Sequence, residues 1–329
     1  MKIPAGMKQL QLAAPRTAVW HDVPVPQPGP GEVLVRVIGV TTCPHWDLHL
    51  FDGRPMFPGQ TLVYPYLPGQ PGHEAMGEIA ALGPGVTRLR LGQRVAAWRD
   101  TGKPRVGFYG QYNTFAEDDL LVVADKLPPA EIASLELAMC VEVSFQRLRA
   151  AGDVTGRRVG VAGLGPAGLV AVQLARAHGA AEVVGIDPVA ARRTLAVALG
   201  ADRAVASGEN IWPAGRRSEA ALDYSLDCTG RADSVEFLLD RTREAVALFG
   251  VLREEVRYAP RHMWGPGVTL LGYGDHNRAA AESALGFIQQ GKLRLAPLVT
   301  HTLPLSRYAE GVELLRRQEA IKVLFDPWA

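Results

Sequence analysis

From about residue 150 onward, short apolar runs alternate with Ala- and Leu-rich stretches of helical character. The run 159–162 leads into Gly163-Leu164-Gly165-Pro166-Ala167-Gly168. An apolar, Ala-rich stretch follows and ends near Gly179. A second run, 183–186, stops on Asp187. This pattern predicts strand, glycine turn, helix, strand and a terminal acid. Later runs at 221–227, 245–249 and 268–271 predict further buried strands. Such alternation implies an α/β fold, a parallel sheet with helices on both faces. The chain before residue 150 is patterned differently. Segments 33–38, 78–82 and 94–98 read as short strands, set apart by turns rich in Gly and Pro. After residue 275 come a helix at 279–290, a short strand at 297–301, a helix at 306–317 and a last strand at 321–325.

The glycine turn carries chemistry as well as structure. Gly163 permits a tight turn, Gly165 lets backbone approach a pyrophosphate, and Gly168 lets the helix pack closely on the strand. Pro166 and Ala167 open the helix, whose first N–H groups are offered to phosphate. Asp187 lies nineteen residues after Gly168, where a carboxylate accepts the ribose hydroxyls of an adenosine. An acid there repels a 2′-phosphate and favours NAD. Arg192 and Arg193 are able to pair with such a phosphate, so NADP stays open.

Composition narrows the classes. A chain of 329 residues is comfortable for two domains. A net charge of +1 without a basic block argues against a nucleic-acid partner. No apolar run spans a bilayer, and the first residues lack a signal-peptide core, so a cytoplasmic location is expected. Three cysteines, Cys43, Cys140 and Cys228, suit a reducing compartment better than a disulfide framework.

The run Gly72-His73-Glu74-Ala75-Met76-Gly77-Glu78-Ile79 and the segment Asp47-Leu48-His49-Leu50 resemble the medium-chain dehydrogenases/reductases, the zinc alcohol dehydrogenase superfamily. So do Asp227-Cys228-Thr229-Gly230 and the tail Ala320-Ile321-Lys322-Val323. The resemblance covers nearly the whole chain. It implies a Rossmann domain at 151–275, enclosed by a GroES-like catalytic domain made of 1–150 and 276–329, with the active site in the cleft between them. It also implies a small-molecule substrate, a homodimer or homotetramer, and cofactor contacts from His45, Arg192, Thr229, Gly250 and Lys322.

Two departures from the family pattern matter. The stretch 96–118 lacks the four cysteines that hold a structural zinc in many members. The family's first catalytic ligand is a Cys at the position of Pro44, whereas this chain has Cys43 one residue earlier. Trp46 replaces the hydroxyl that precedes Asp47, leaving Thr41 or Thr42 as substitutes. The resemblance gives zinc to Cys43 and His73, with Glu74 or Cys140 as the third ligand. Asp47 would orient a ligand and His49 would pass a proton to solvent. The expected function is NAD-dependent alcohol or polyol dehydrogenation with a catalytic zinc. A zinc-free quinone or enone reductase of the same superfamily and a non-catalytic nucleotide-binding protein are the alternatives.

Overall fold

The structure is a computed structural model that describes residues 2–57, 59–99, 106–206 and 215–329. Residues 100–105 of the cysteine-free stretch lie outside the described residues. The chain forms two compact units, Met1–Leu137 with Leu295–Ala329, and Ala138–Arg294. The sequence pattern put the changes of character near 150 and 275. The second unit takes in most of helix Leu135–Ala151 and all of helix Arg278–Gln289.

The second unit is built on a six-stranded parallel sheet among the described residues. Its order is Arg203–Val205, Glu182–Ile186, Arg158–Ala162, Leu222–Asp227, Thr242–Leu248 and Thr269–Leu271. The chain begins in the middle and winds outward in both directions, the doubly wound arrangement. Val159, Val161, Val183, Val184 and Ile186 are buried, as expected when helices cover both faces of a sheet. Helix Pro166–Ala177 follows the glycine turn with Pro at its first position, where the missing N–H costs nothing.

The first unit is β-rich. Strand Glu32–Thr41 lies at the centre of its larger sheet and pairs with Glu74–Leu82, Tyr112–Ala116 and Lys322–Asp326. The C-terminal strand is thus a member of the N-terminal sheet. Its register sets Leu324 opposite Thr41, and Thr41 in turn lies opposite Glu74. A hairpin, Gly6–Ala14 with Thr17–Pro24, forms a separate two-stranded sheet. The sequence pattern gave no sign of it. Leu10, Val35, Val37, Phe108, Tyr109, Tyr308 and Phe325 belong to one buried cluster, so the core joins both ends of the chain.

Candidate metal and nucleotide sites

Cys43 immediately precedes helix Pro44–Asp52, and His73 and Glu74 stand at the start of strand Glu74–Leu82. Ligand atoms of these three residues lie within 4.8 Å of one another. The His73 Nδ1–H donates to the Pro71 carbonyl at 2.7 Å, which leaves the Nε2 lone pair available. Nε2 lies 3.8 Å from Glu136 Oε2. Two ligands of one tetrahedral zinc, each about 2 Å from it, sit roughly 3.3 Å apart, so these spacings suit a single ion. Burial alone would lower the His73 pKa. The hydrogen bond and charge of Cys43, with Glu136 and Glu74, outweigh burial and raise it well above its ordinary value. The local field therefore favours a cation between these groups. A thiolate, an imidazole nitrogen and carboxylate oxygens are all ligands that zinc accepts.

The surrounding residues hold these groups in place. Asp47 is fully buried. Its Oδ2 accepts from the Cys43 backbone N–H at 2.8 Å, and its Oδ1 accepts from Tyr109 at 2.7 Å and Tyr308 at 2.9 Å. Desolvation raises its pKa to about 6, against the opposing effect of those hydrogen bonds. Glu74 is paired with Lys322, whose Nζ donates to both carboxylate oxygens at 2.8 and 2.7 Å. Both side chains are buried, and Thr41 Oγ1 adds a donor at 3.2 Å. Trp46 presents its ring edgewise to His73, with centroids 6.1 Å apart, and to Phe57 at 5.9 Å.

In the other unit, the backbone at Gly163 has φ +83°, a conformation that favours glycine. A Cβ on Gly168 would lie 1.8 Å from the Gly163 carbonyl oxygen. One on Gly165 would meet nothing within 4 Å, so the first turn of helix Pro166–Ala177 opens on free space. That opening fits a pyrophosphate at a helix N-terminus. Asp187 accepts from Leu164 N at 2.7 Å through Oδ2 and from Val189 N at 2.8 Å through Oδ1. Arg192 Nη1 stands 3.8 Å from the same carboxylate. Arg193 donates to the carbonyls of Asp187 and Pro188. Asp227 shapes the next turn by accepting from Thr229 Oγ1 and Gly230 N. Gly250 packs against that turn, where a side chain would strike Gly230 and Thr229.

Parts of both units match known protein families. Residues 29–125 match the family described as the alcohol dehydrogenase GroES-like domain, and residues 166–290 match the family described as zinc-binding dehydrogenase. The chain belongs to the zinc-type medium-chain dehydrogenase/reductase superfamily. Among relatives, it is 28% identical to an L-threonine 3-dehydrogenase of Sinorhizobium fredii over 97% of this chain and 98% of that one. Among solved structures, 2R,3R-butanediol dehydrogenase from Bacillus subtilis matches with TM-score 0.84 and 20% identity, over 98% of this chain and 99% of that one. A candidate zinc-binding dehydrogenase from Sinorhizobium meliloti 1021, solved with NADP, matches with TM-score 0.83 and 24% identity over 98% and 100%. These two structures speak for the fold. As a zinc-type dehydrogenase, the protein is an NAD(P)-dependent oxidoreductase of the alcohol dehydrogenase type.

Several expected residues of this dehydrogenase stand in unexpected company. The resemblance implied a cofactor contact for Lys322. It is fully buried and bound to Glu74 instead, because the C-terminal strand is threaded into the sheet beside Thr41. Cys140 lies on helix Leu135–Ala151 in the second unit, with its sulfur 3.4 Å from His276 Nε2. His45 and His49 stack on one another one helical turn apart, with centroids at 4.7 Å, and His49 Nδ1 meets the Pro55 carbonyl at 3.0 Å. Glu142, a second acid on the Cys140 helix, binds His178 at 2.8 Å and Ser283 at 3.0 Å.

Glu136 and Tyr308 were missed as site residues. The available signal was an acid inside the otherwise apolar run 135–141, since a carboxylate is seldom buried without a partner. Tyr308 carried no signal, because only the fold brings it to Asp47.

Proposed function

We propose that this protein is a zinc-dependent, NAD(H)-preferring dehydrogenase of small, largely apolar secondary alcohols and their carbonyl partners. The observation that carries the reading is the convergence of Cys43, His73 and Glu74 within 4.8 Å, with Glu136 Oε2 3.8 Å from His73 Nε2, in a chain that also carries the glycine turn and Asp187. In this reading Cys43, His73 and Glu136 hold the metal. Glu74 stands behind them, its charge offset by Lys322. Zinc held there supplies Lewis acidity that lowers the pKa of a substrate hydroxyl, and NAD supplies the hydride acceptor.

The chain's own residues do the rest. Asp47 fixes the Cys43 backbone through its N–H, and Pro71 fixes the His73 ring. His49, partly exposed and stacked on His45, carries the substrate proton toward solvent. Trp46 and Phe57 give the substrate an apolar wall beside His73 and exclude water from it. Those rings favour an apolar or aromatic substrate over a highly hydroxylated sugar.

The preference for NAD rests on Asp187, and Arg192 lies at the ribose edge beside it. We also place the protein in the cytoplasm; no described helix is long and apolar enough to cross a membrane. A homodimer or homotetramer is supported by the edge strand Thr269–Leu271 and by Met263 and Trp264, 62% and 74% exposed just before it. A monomeric mass by light scattering at micromolar concentration would refute the assembly.

Elemental analysis after dialysis without chelator, with NAD-linked oxidation of a panel of secondary alcohols, tests the central reading. About one zinc per chain, lost in His73→Ala and Glu136→Ala, is expected from one set of three protein ligands that leaves a position for substrate. Metal-free protein with undiminished turnover in chelator would move the chain to the zinc-free reductases.

A further inference from the structure

The second unit carries a cavity of about 540 Å³ that neither the metal cluster nor the glycine turn uses. Arg216, Arg217, Arg241 and Arg261 line it, and among the described residues Asp240 is the only acid that does. Its place in the sheet is opposite to the nucleotide turn. Residues 215–218 lead into strand Leu222–Asp227, and Arg241 immediately precedes strand Thr242–Leu248. These are amino ends of parallel strands, whereas the glycine turn follows the carboxyl end of Arg158–Ala162. Seven residues of strand Thr242–Leu248, rising about 3.3 Å each, set the two ends roughly 20 Å apart.

The charges in this cavity do not balance. Asp240 is committed to its neighbours: Oδ1 accepts from Arg261 Nε at 2.7 Å and His262 Nε2 at 2.8 Å, and Oδ2 accepts from Arg261 Nη2 at 3.2 Å. His262 adds no charge. Its Nδ1 accepts from the Ala259 N–H at 3.1 Å, so the ring is neutral with its proton on Nε2. Arg261 therefore cancels Asp240, and three guanidinium charges remain. Arg216 is a brace. It donates to the carbonyls of Pro266, Arg261 and Trp264 at 2.8, 3.0 and 2.9 Å, which ties residues 215–218 to the turn after helix Pro260–Met263. Arg217 and Arg241 hold the unused donors. Arg217 is exposed and has no carboxylate partner among the described residues. It lies against the backbone of Gly265, where a Cβ would come 3.6 Å from its Nη2. Arg241 is half-buried over the Phe237 ring, 3.8 Å from its centroid, and gives one hydrogen bond, to the Phe237 carbonyl at 3.3 Å. Burial pulls its pKa down, against the opposing charge of Asp240.

We propose that this cavity binds a phosphate monoester, with the phosphate held by Arg217 and Arg241. The inference goes beyond the dehydrogenase reading and does not depend on it. A guanidinium fork matches the oxygens of a phosphate, and two forks match its two negative charges. A free anion would fill only a small part of about 540 Å³, since one water takes about 30 Å³ of liquid. The remaining room takes the organic part of an ester, a sugar or an aromatic group. Trp264 also borders the cavity, and its largely exposed ring offers a face to such a group. Trp264 belongs to the subunit contact proposed above as well, so binding is measured on the assembled protein.

Isothermal titration calorimetry of the full-length protein tests this, with and without NADH, in a buffer free of phosphate and sulfate. The probes are ribose 5-phosphate, phenyl phosphate and inorganic phosphate. One ester per chain should bind about tenfold more tightly than inorganic phosphate, and NADH should leave that binding in place. A tighter ribose 5-phosphate would make the organic part a sugar; a tighter phenyl phosphate would make it aromatic. Arg217→Gln should weaken ester binding about tenfold, as should Arg241→Lys, which keeps the charge and removes the fork. NADH binding should be unchanged in both variants. Arg217 is exposed, so Arg217→Gln carries the test even where Arg241→Lys disturbs the fold. No ester binding at about 10 mM, equal affinity for inorganic phosphate, or unchanged binding in Arg217→Gln would overturn the proposal. Ester binding that NADH abolishes would place the ligand at the nucleotide turn and overturn it too.

Discussion

The two sites are built in opposite ways. The nucleotide turn is six consecutive residues, Gly163 to Gly168, and its demands fall on the backbone: a positive φ at Gly163 and no room for a side chain at Gly168. The candidate metal site gathers five side chains, Cys43, His73, Glu74, Glu136 and Lys322, scattered over most of the chain. Strand register assembles it, with Leu324 beside Thr41 and Thr41 beside Glu74. A backbone site can be written as a local word. A side-chain site of this kind depends on long-range pairing, so its members tolerate shifts in sequence position that would destroy the turn. On the proposed reading, Cys43, one residue from the family position, is such a shift; it directly precedes helix Pro44–Asp52, and Asp47 ties down its N–H.

That contrast is open to direct test. The largest effect should come from Lys322→Met, which leaves the buried Glu74 carboxylate without its partner. Removing one member of such a pair costs about 3–5 kcal/mol, so the melting midpoint in denaturant should fall sharply, although Lys322 is far from Glu74 in sequence. Recovery of that stability in Lys322→Met with Glu74→Gln would show that the lost charge partner is the cause. An unchanged midpoint in the single variant would break the claim that pairing builds this site.

Gly168→Ala probes the local site. Its Cβ would lie 1.8 Å from the Gly163 oxygen, so turn and helix must separate, at a cost of about 1–3 kcal/mol for an overpacked position. NADH binding by fluorescence should be lost while the zinc content stays at the wild-type level. Loss of zinc in the same variant would show that the two sites are not independently built.

Tyr308→Phe removes one of two phenols from Asp47 Oδ1. The loss should be about 1–2 kcal/mol, typical of a hydrogen bond to a charged or buried group, with the Tyr109 bond retained. Cobalt-substituted protein should show a shifted thiolate charge-transfer band if Asp47 sets the position of Cys43. An unshifted band would confine Tyr308 to the core.

Asp187→Ser should bring the Kd values for NADH and NADPH closer by about tenfold, or roughly 1.4 kcal/mol. Tighter NADPH binding by the unmodified protein would instead shift the assignment to Arg192 and Arg193.

The smallest effect is on the pH dependence of the metal-free protein. Asp47 titrates at about 6 when folded, against an ordinary 3.8. Between those values the folded protein keeps a proton that the unfolded chain has released, so stability falls as pH rises through this window. Asp52 is the opposite case. Hydrogen bonding from Arg316 lowers its pKa, so its contribution is present above the ordinary carboxylate range and fades in stronger acid. Thermal melts of Asp47→Asn should lack the decline between pH 4 and 6 and retain the acid loss.

Much of the molecule was legible in order along the chain. The strand at 159–162, the glycine turn, the helix after it and Asp187 are set by residues whose neighbours in sequence are also their neighbours in space. Backbone freedom, helix propensity and burial on both faces act there over a few residues, and each leaves a mark on composition. The parallel strands Leu222–Asp227 and Thr242–Leu248 follow from the same apolar runs. The hairpin Gly6–Ala14 with Thr17–Pro24 was not legible, because only Met7, Leu10 and Leu12 of its apolar residues are well buried and Trp20 and Val23 are half-exposed.

What the sequence by itself determined is the class of protein, the nucleotide turn and the presence of His73-Glu74 as a chemical pair. The tertiary structure alone decided the company those residues keep. Lys322 is drawn from the surface to Glu74, Tyr308 closes on Asp47, Glu136 stands beside His73 and Cys140 beside His276. The physical reason is that a buried charge or polar atom needs a partner at hydrogen-bond distance, wherever in the chain that partner lies. Sequence order records which groups are available; strand register and helix packing choose which of them meet.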